Sequence, residues 1–202
     1  MQNFSWERLI QVTEDDPLRI LSSACLLGHR VGWDDRPYTS SLALTLAHNS
    51  KVSMIHFCPE DLILGTPRLL TTIHGGNGFD VLDGRASVRD TEGNDHTDLF
   101  VYAAEQFLEF AQENRIELAL LTEISDSCGS TALYIGAAQD KNYQKGAGVS
   151  AALLMRHSIP VIGSQDLRSI QEILCVLDPT FKREQGMQDF TEISWYSEYF
   201  SE

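Results

Sequence analysis

The sequence predicts an α/β fold: one domain built on a parallel sheet with helices on both faces. Three observations predict it. Short apolar runs of strand length recur at 19–23, Val52–Phe57, Leu118–Leu121 and 159–162. Segments of helical spacing lie between them, and strands that alternate with helices argue for a parallel sheet. At 202 residues, 43% hydrophobic and 22% charged, the chain has the size and composition of one folded domain with extensions, not of a disordered segment.

The elements follow in order. Residues 1–18 carry one short pattern, Phe4, Trp6, Leu9 and Ile10, and end at Pro17, which cannot continue a helix. They read as a short helix laid on the main domain. The first strand, 19–23, runs into Ala24-Cys25-Leu26-Leu27, where Gly28 ends the run. Leu42, Leu46 and Ala47 give 40–49 helical spacing. The second strand ends at Cys58-Pro59-Glu60. Residues 61–78, with Gly65, Pro67, Gly75, Gly76 and Gly78, read as a loop or lid. Residues 79–82 and 86–88, around Asp83-Gly84-Arg85, read as a short hairpin. From Thr97, the residues Phe100, Val101, Ala104, Phe107, Leu108 and Ala111 trace a long helix toward Asn114. The third strand runs into Ser125-Asp126-Ser127-Cys128-Gly129. Gly146-Ala147-Gly148 opens an apolar helix at 149–155, 159–162 is the fourth strand, and 165–175 is a last amphipathic helix. The main domain is expected at 19–178. An acidic, aromatic tail at 179–202 (Phe190, Trp195, Tyr196, Tyr199, Phe200) is expected to dock on it or on a partner.

A formal charge of −14 argues against capture of duplex nucleic acid or an anionic membrane, which need clustered positive charge. It leaves a single nucleobase or nucleotide as a small ligand. The N-terminus lacks the apolar core of a signal peptide, and no run approaches the ~18 apolar residues of a membrane span. Four cysteines are too few for a disulfide scaffold, so a reducing, cytoplasmic setting is expected.

Cys25, Cys58 and Cys128 each follow a predicted parallel strand. In an open α/β sheet, ligands bind at the carboxyl ends of the strands, so the fold brings three distant thiols to one edge. Cys175 falls late in the last helix on an apolar stripe. A lone cysteine is usually a small core residue. Three at equivalent strand ends suit a soft metal or an iron–sulfur cluster. A zinc site, the alternative, closes with a fourth Cys or His or keeps a water there; His29 and His56 are the histidines nearest in sequence.

Five motifs occur in order: Ser23-Ala24-Cys25-Leu26-Leu27-Gly28; Cys58-Pro59-Glu60; Gly93 with Asp95 and Thr97; Ser125 through Gly129; and Gly146-Ala147-Gly148-Val149. Over roughly 19–167 the chain resembles the bacterial family of formerly unknown function that includes the iron–sulfur-dependent thiouracil desulfidases. The resemblance implies a Rossmann-like domain that holds a 4Fe–4S cluster by three cysteines. One iron is then open to sulfur from a thiolated base, the implied small-molecule partner. The chain departs from the family at Thr122 (usually Lys), Asp126 (usually Pro), Asn94 (often Arg) and Gln165 (often Glu).

Within that chemistry, Glu60 is the expected general acid/base. Ser125 and Ser127 would bond a base edge or shuttle a proton. Arg68 would clamp a carbonyl or phosphate, and the Gly146 and Gly148 amides would offer free N–H groups to the substrate. Asp126, taken as a charge, would cap the following helix or repel anionic substrates. The alternative is a non-catalytic cluster or zinc module that contacts a partner through its tail.

Overall fold

The computed structural model describes residues 4–135 and 141–201. Strands β1 (Leu18–Ser23), β2 (Val52–Phe57), β5 (Leu118–Leu121) and β8 (Val161–Gly163) form one parallel sheet in the order β2-β1-β5-β8. Successive strand residues face opposite sides, so the apolar runs fill both faces. Ile20, Leu118, Leu120 and Ile162 pack on one side with α1 (Trp6–Gln11), α2 (Ser41–Ala47) and α7 (Leu167–Leu177). Leu21, Ala119 and Leu121 pack on the other with α5 (Thr97–Glu113) and α6 (Val149–Arg156). Phe107 of α5 is fully buried there, and truncating such a side chain costs about 3–5 kcal/mol.

The sheet order creates the site. From β1 the chain moves outward to β2, and from β5 it moves the opposite way to β8. The crevice at such a reversal is where open α/β sheets bind ligands.

Residues 61–78 are more ordered than the Gly and Pro content suggests. Pro59 starts helix α3 (Pro59–Leu64), whose N-cap is Cys58; Asp61 N–H donates to its Sγ at 3.4 Å. Strand β3 (Thr71–His74) follows. The hairpin expected around Asp83-Gly84-Arg85 is not formed there. Residues Gly78–Leu82 are helix α4, because Asn77 and Asp80 close a reciprocal capping box. The antiparallel partner of β3 is β4 (Ser87–Asp90), beyond that helix. A second short ladder pairs β6 (Ala132–Tyr134) with β7 (Tyr143–Lys145).

The tail docks on the domain. Asp189 accepts hydrogen bonds from Ser169 of α7 and from Arg168. Helix α8 (Ser194–Tyr199) lays Trp195 and Tyr199 edge-on against Tyr143 of β7. Among the described residues, no helix is long and apolar enough to cross a membrane.

Candidate active site

A cavity of about 230 Å³ opens at the carboxyl edge of β1, β2 and β5. Cys25, Cys58 and Cys128 all line it, with Glu60, Arg68, Ser125 and Asp126. Cys25 lies in the 3₁₀ turn Ala24–Leu27 directly after β1, Cys58 caps α3 after β2, and Cys128 lies in the loop after β5. Cys175 lies on α7, outside the cavity lining.

The three thiols sit in protein, not in water. Burial raises the pKa of Cys25, raises that of Cys128 well above its ordinary value, and with Glu60 nearby pushes Cys58 up to about 12. Without a metal they are protonated at neutral pH, and metal binding must displace those protons. Thr122 Oγ1 lies 2.9 Å from Cys25 Sγ.

Three soft donors around one cavity fit an iron–sulfur cluster, whose thiolates stand apart around the core. A single zinc requires bonds of about 2.3 Å to every thiolate. Among the described residues, no group of three or more His, Cys, Asp or Glu side chains is drawn together around a single metal-ion position. His29 and His56 stack on each other at 4.1 Å and line a neighbouring depression that shares Cys58 with the cavity.

Glu60 is held from both sides. Its Oε1 accepts from Ser125 Oγ at 3.1 Å, and its Oε2 accepts from Arg68 Nε at 3.1 Å and Nη2 at 3.0 Å. Ser125 Oγ also accepts from the Cys128 amide at 3.0 Å, so a single hydroxyl joins Glu60 to the Cys128 loop.

Three expected contacts turn out differently. Arg68 is not a free clamp. Besides its two bonds to Glu60, Nη1 donates to Gly65 O and Thr66 Oγ1, and Nη2 to Val31 O. A guanidinium has five N–H groups, and all five are occupied. Ser127 turns its hydroxyl away from the cavity to Ser150 Oγ at 2.9 Å. The amides of Gly146 and Gly148 already donate to Thr131 O and Gly129 O. Gly148 serves close packing instead: a Cβ there would stand 2.5 Å from the Ser127 carbonyl carbon.

Asp126 also differs from its reading as a repelling charge or helix cap. It is 5% exposed, and burial, reinforced by Glu60, pushes its pKa well above the ordinary carboxylate value. The first amide of α6, at Val149, donates to the Asp126 backbone carbonyl rather than to its side chain.

Among the lining residues that sequence reasoning missed, four bear on the chemistry. Trp33, Tyr38 and Tyr134 supply aromatic surface, and Glu123 braces the loop after Cys128. Glu123 accepts hydrogen bonds from the amides and hydroxyls of Ser130 and Thr131 and from the Ala132 amide. The available signals were a pair of aromatics in a polar loop soon after Cys25 and a carboxylate at the end of an apolar strand.

Fold and cavity together define a parallel α/β protein with a three-cysteine pocket at its topological switch point. The model of the 2-thiouracil desulfurase family matches residues 20–166, and the chain belongs to that family. It is 36% identical over 154 residues to the uncharacterized protein YbbK of Bacillus subtilis strain 168, covering 75% of this chain and 99% of that one. Its fold is similar to that of a 4Fe–4S-dependent thiouracil desulfidase, TudS. The TM-score is 0.64 and the identity 31%, over 79% of this chain and 99% of the other.

Proposed function

We propose that this protein is a desulfidase that removes sulfur from a thiolated nucleobase such as 2-thiouracil. In this reading Cys25, Cys58 and Cys128 hold a 4Fe–4S cluster, and residues 19–178 form the catalytic domain of a cytoplasmic enzyme. The reaction balances without an external oxidant or reductant: thiocarbonyl and water give carbonyl and hydrogen sulfide. The main support is that three thiols and a doubly anchored carboxylate line one cavity in a chain of this family.

The cluster, when bound, supplies a thiophilic iron without a protein ligand. The chain's own residues handle the proton and the water. Glu60 Oε2 is pinned by Arg68, which leaves Oε1 as the oxygen that takes a proton from water. Ser125 Oγ, bonded to that same oxygen, relays the proton to or from the bound base. Arg68 acts as a positioning residue, holding the carboxylate plane. The aromatic side chains of Trp33, Tyr38 and Tyr134 give a flat ring apolar surface and exclude water. Burial, with Asp34 beside it, pushes Tyr38 up to about 12 and keeps its phenol neutral.

Anaerobic reconstitution with iron and sulfide tests the reading. About four irons and four sulfides per chain are expected, and sulfide should appear when 2-thiouracil is added. Replacing any one of the three cysteines by serine should abolish both, whereas Cys175→Ser should abolish neither. A fully loaded protein that releases no sulfide from thiopyrimidines would refute it.

A further inference from the structure

The tail lies beyond residue 166, where the family match ends, and it backs the cavity wall at three places. The first is the turn after β8. Phe190 N–H donates to Asp166 Oδ1 at 3.1 Å, and Oδ2 of the same side chain accepts from Gly163 N–H at 2.8 Å. Gln165, the neighbour of Asp166, lines the cavity. The second is Glu123, also in the lining: burial and then the Glu123 charge push the Tyr196 phenol above its ordinary value. The third is the β6–β7 ladder. Tyr143 N–H donates to Tyr199 Oη at 2.9 Å, and the Tyr143 ring meets Trp195 at 5.2 Å and Tyr199 at 5.4 Å. Across the ladder Tyr143 pairs with Tyr134, ring to ring at 5.3 Å, and Tyr134 lines the cavity.

Aromatic contacts therefore run without a break from Trp195 through Tyr143 to Tyr134. The tail end of this chain is firmly anchored. Phe190 is 2% exposed and stacks on Trp195 at 5.6 Å, and Asp189 accepts from Arg168 and Ser169. The ladder needs such an anchor, because two short strands are marginal by themselves. Leu133 of β6 is fully buried, but β7 fully buries none of its three residues, and the tail aromatics cover it. A wall fixed before the ligand arrives lowers the ordering cost of binding. We infer that the tail is a strap that holds Tyr134 in place against the ring of the bound heterocycle, with Trp195 as its main positioning residue. The inference rests on the desulfidase reading for its ligand, and on the aromatic contacts for its route.

The test uses the full chain and two kinds of readout. The first is ligand binding by the reconstituted protein: calorimetry with uracil, and sulfide release from 2-thiouracil. Trp195 pairs with four aromatic rings, and each such pair shifts an equilibrium about twofold to tenfold. Trp195→Ala should raise the uracil Kd and the 2-thiouracil KM about tenfold and leave kcat within about threefold, at unchanged iron content. Trp195→Phe keeps a ring and should stay within about threefold of the parent. Tyr134→Ala should weaken binding by itself, and adding Trp195→Ala to it should cost no more than about twofold further, because both act through one contact. The second readout needs neither cluster nor substrate. In the metal-free chain, iodoacetamide should modify the buried thiols Cys25 and Cys128 about tenfold faster in Trp195→Ala, because a loosened wall opens more often. Cys175, outside the cavity, reports general loosening and should keep its parent rate. If Trp195→Ala does not fold by circular dichroism, Tyr199→Ala, at a side chain 40% exposed, takes its place.

A folded Trp195→Ala protein with Kd, KM and alkylation rates within about twofold of the parent would overturn the inference. So would equal acceleration at Cys175, because the tail then steadies the whole fold and not the wall. Losses from Trp195→Ala and Tyr134→Ala that simply add would overturn it as well, because the tail then does not act through Tyr134. If the parent neither binds uracil nor releases sulfide, the desulfidase reading fails, and the alkylation pattern alone decides whether the strap holds the wall. If sulfide is released and Trp195→Ala changes nothing, the inference fails and the desulfidase reading stands.

Discussion

Replacing Arg68 by methionine separates two roles that its position near the cavity allows. Its side chain is 6% exposed and that of Glu60 is 17% exposed, so the pair is close to the buried limit. Removing one member of a buried pair leaves an uncompensated charge and costs about 3–5 kcal/mol. The Gly65 and Val31 carbonyls lose their Arg68 donors as well. In a chain of this length each kcal/mol shifts Tm by about 2–4 °C, so Arg68→Met should lower Tm by roughly 6–20 °C. Thermal unfolding of the metal-free protein by circular dichroism measures this without any contribution from a cofactor. Arg68→Lys keeps the charge but offers three donors for five contacts, and should fall between parent and Met. A substrate clamp behaves in the opposite way: it leaves Tm almost unchanged and raises KM. An Arg68→Met protein within about 2 °C of the parent, with KM raised, would refute the positioning role.

Glu60→Gln should load the same iron and lose about 10²–10⁴-fold in turnover; a loaded variant with near-parent rate would remove Glu60 from the chemistry. Glu123→Ala strips the acceptor from five donors of residues 130–132 and should cost at least about 3 kcal/mol, read as a lower urea midpoint at unchanged m. A free thiobase should show higher kcat/KM than its nucleoside monophosphate, because the described lining has acidic side chains and no free cation; equal values would contradict that reading of the cavity. Asp90, held well below the usual carboxylate range by hydrogen bonds from Asn94 and His96, gives a pH signature. Its depressed value means that its stabilisation is complete above the unfolded carboxylate pKa and is lost as pH falls toward the folded one. The Tm gap between parent and Asp90→Asn should be flat above about pH 5 and shrink below about pH 4, and a constant gap down to about pH 2 would refute it.

The main sheet was readable because each of its strands is a short apolar run flanked by helical periodicity. Helices α5 and α7 were readable because their apolar residues recur at 3.6-residue spacing over many turns. The small ladders were not. Strands β6 and β7 have three residues each, too few to show a period, and β3 lies within a glycine-rich stretch. The segment before Asp83 failed for another reason: the Asn77–Asp80 capping box is a side-chain device, and a nearby Asp-Gly pair gave the stronger turn signal. At the site, backbone position was legible and side-chain direction was not. Strand ends located Cys25, Cys58, Cys128, Glu60 and Ser125 at one edge. Whether Arg68 faces a ligand or Glu60, and whether Ser127 faces the cavity or Ser150, depends on partners remote in sequence. Asp126 misled because formal charge at neutral pH ignores burial.

The spacing of the three cysteines has a consequence for how the protein is made. Cys58 leaves the ribosome 70 residues before Cys128, the arithmetic being 128 − 58. At about 5–20 residues per second, Cys25 and Cys58 spend roughly 4–14 s without their third companion. For most of that interval β5 has not been made, so the crevice that shelters the thiols is open on one side and both remain accessible to oxidants and stray metals. A ferredoxin-type loop presents its thiolates almost together; a site assembled across a sheet cannot. Loading of the proposed cluster would therefore be a step that follows folding, and the yield of intact three-thiol sites should depend on how reducing the cell is during synthesis, before any question of catalysis arises.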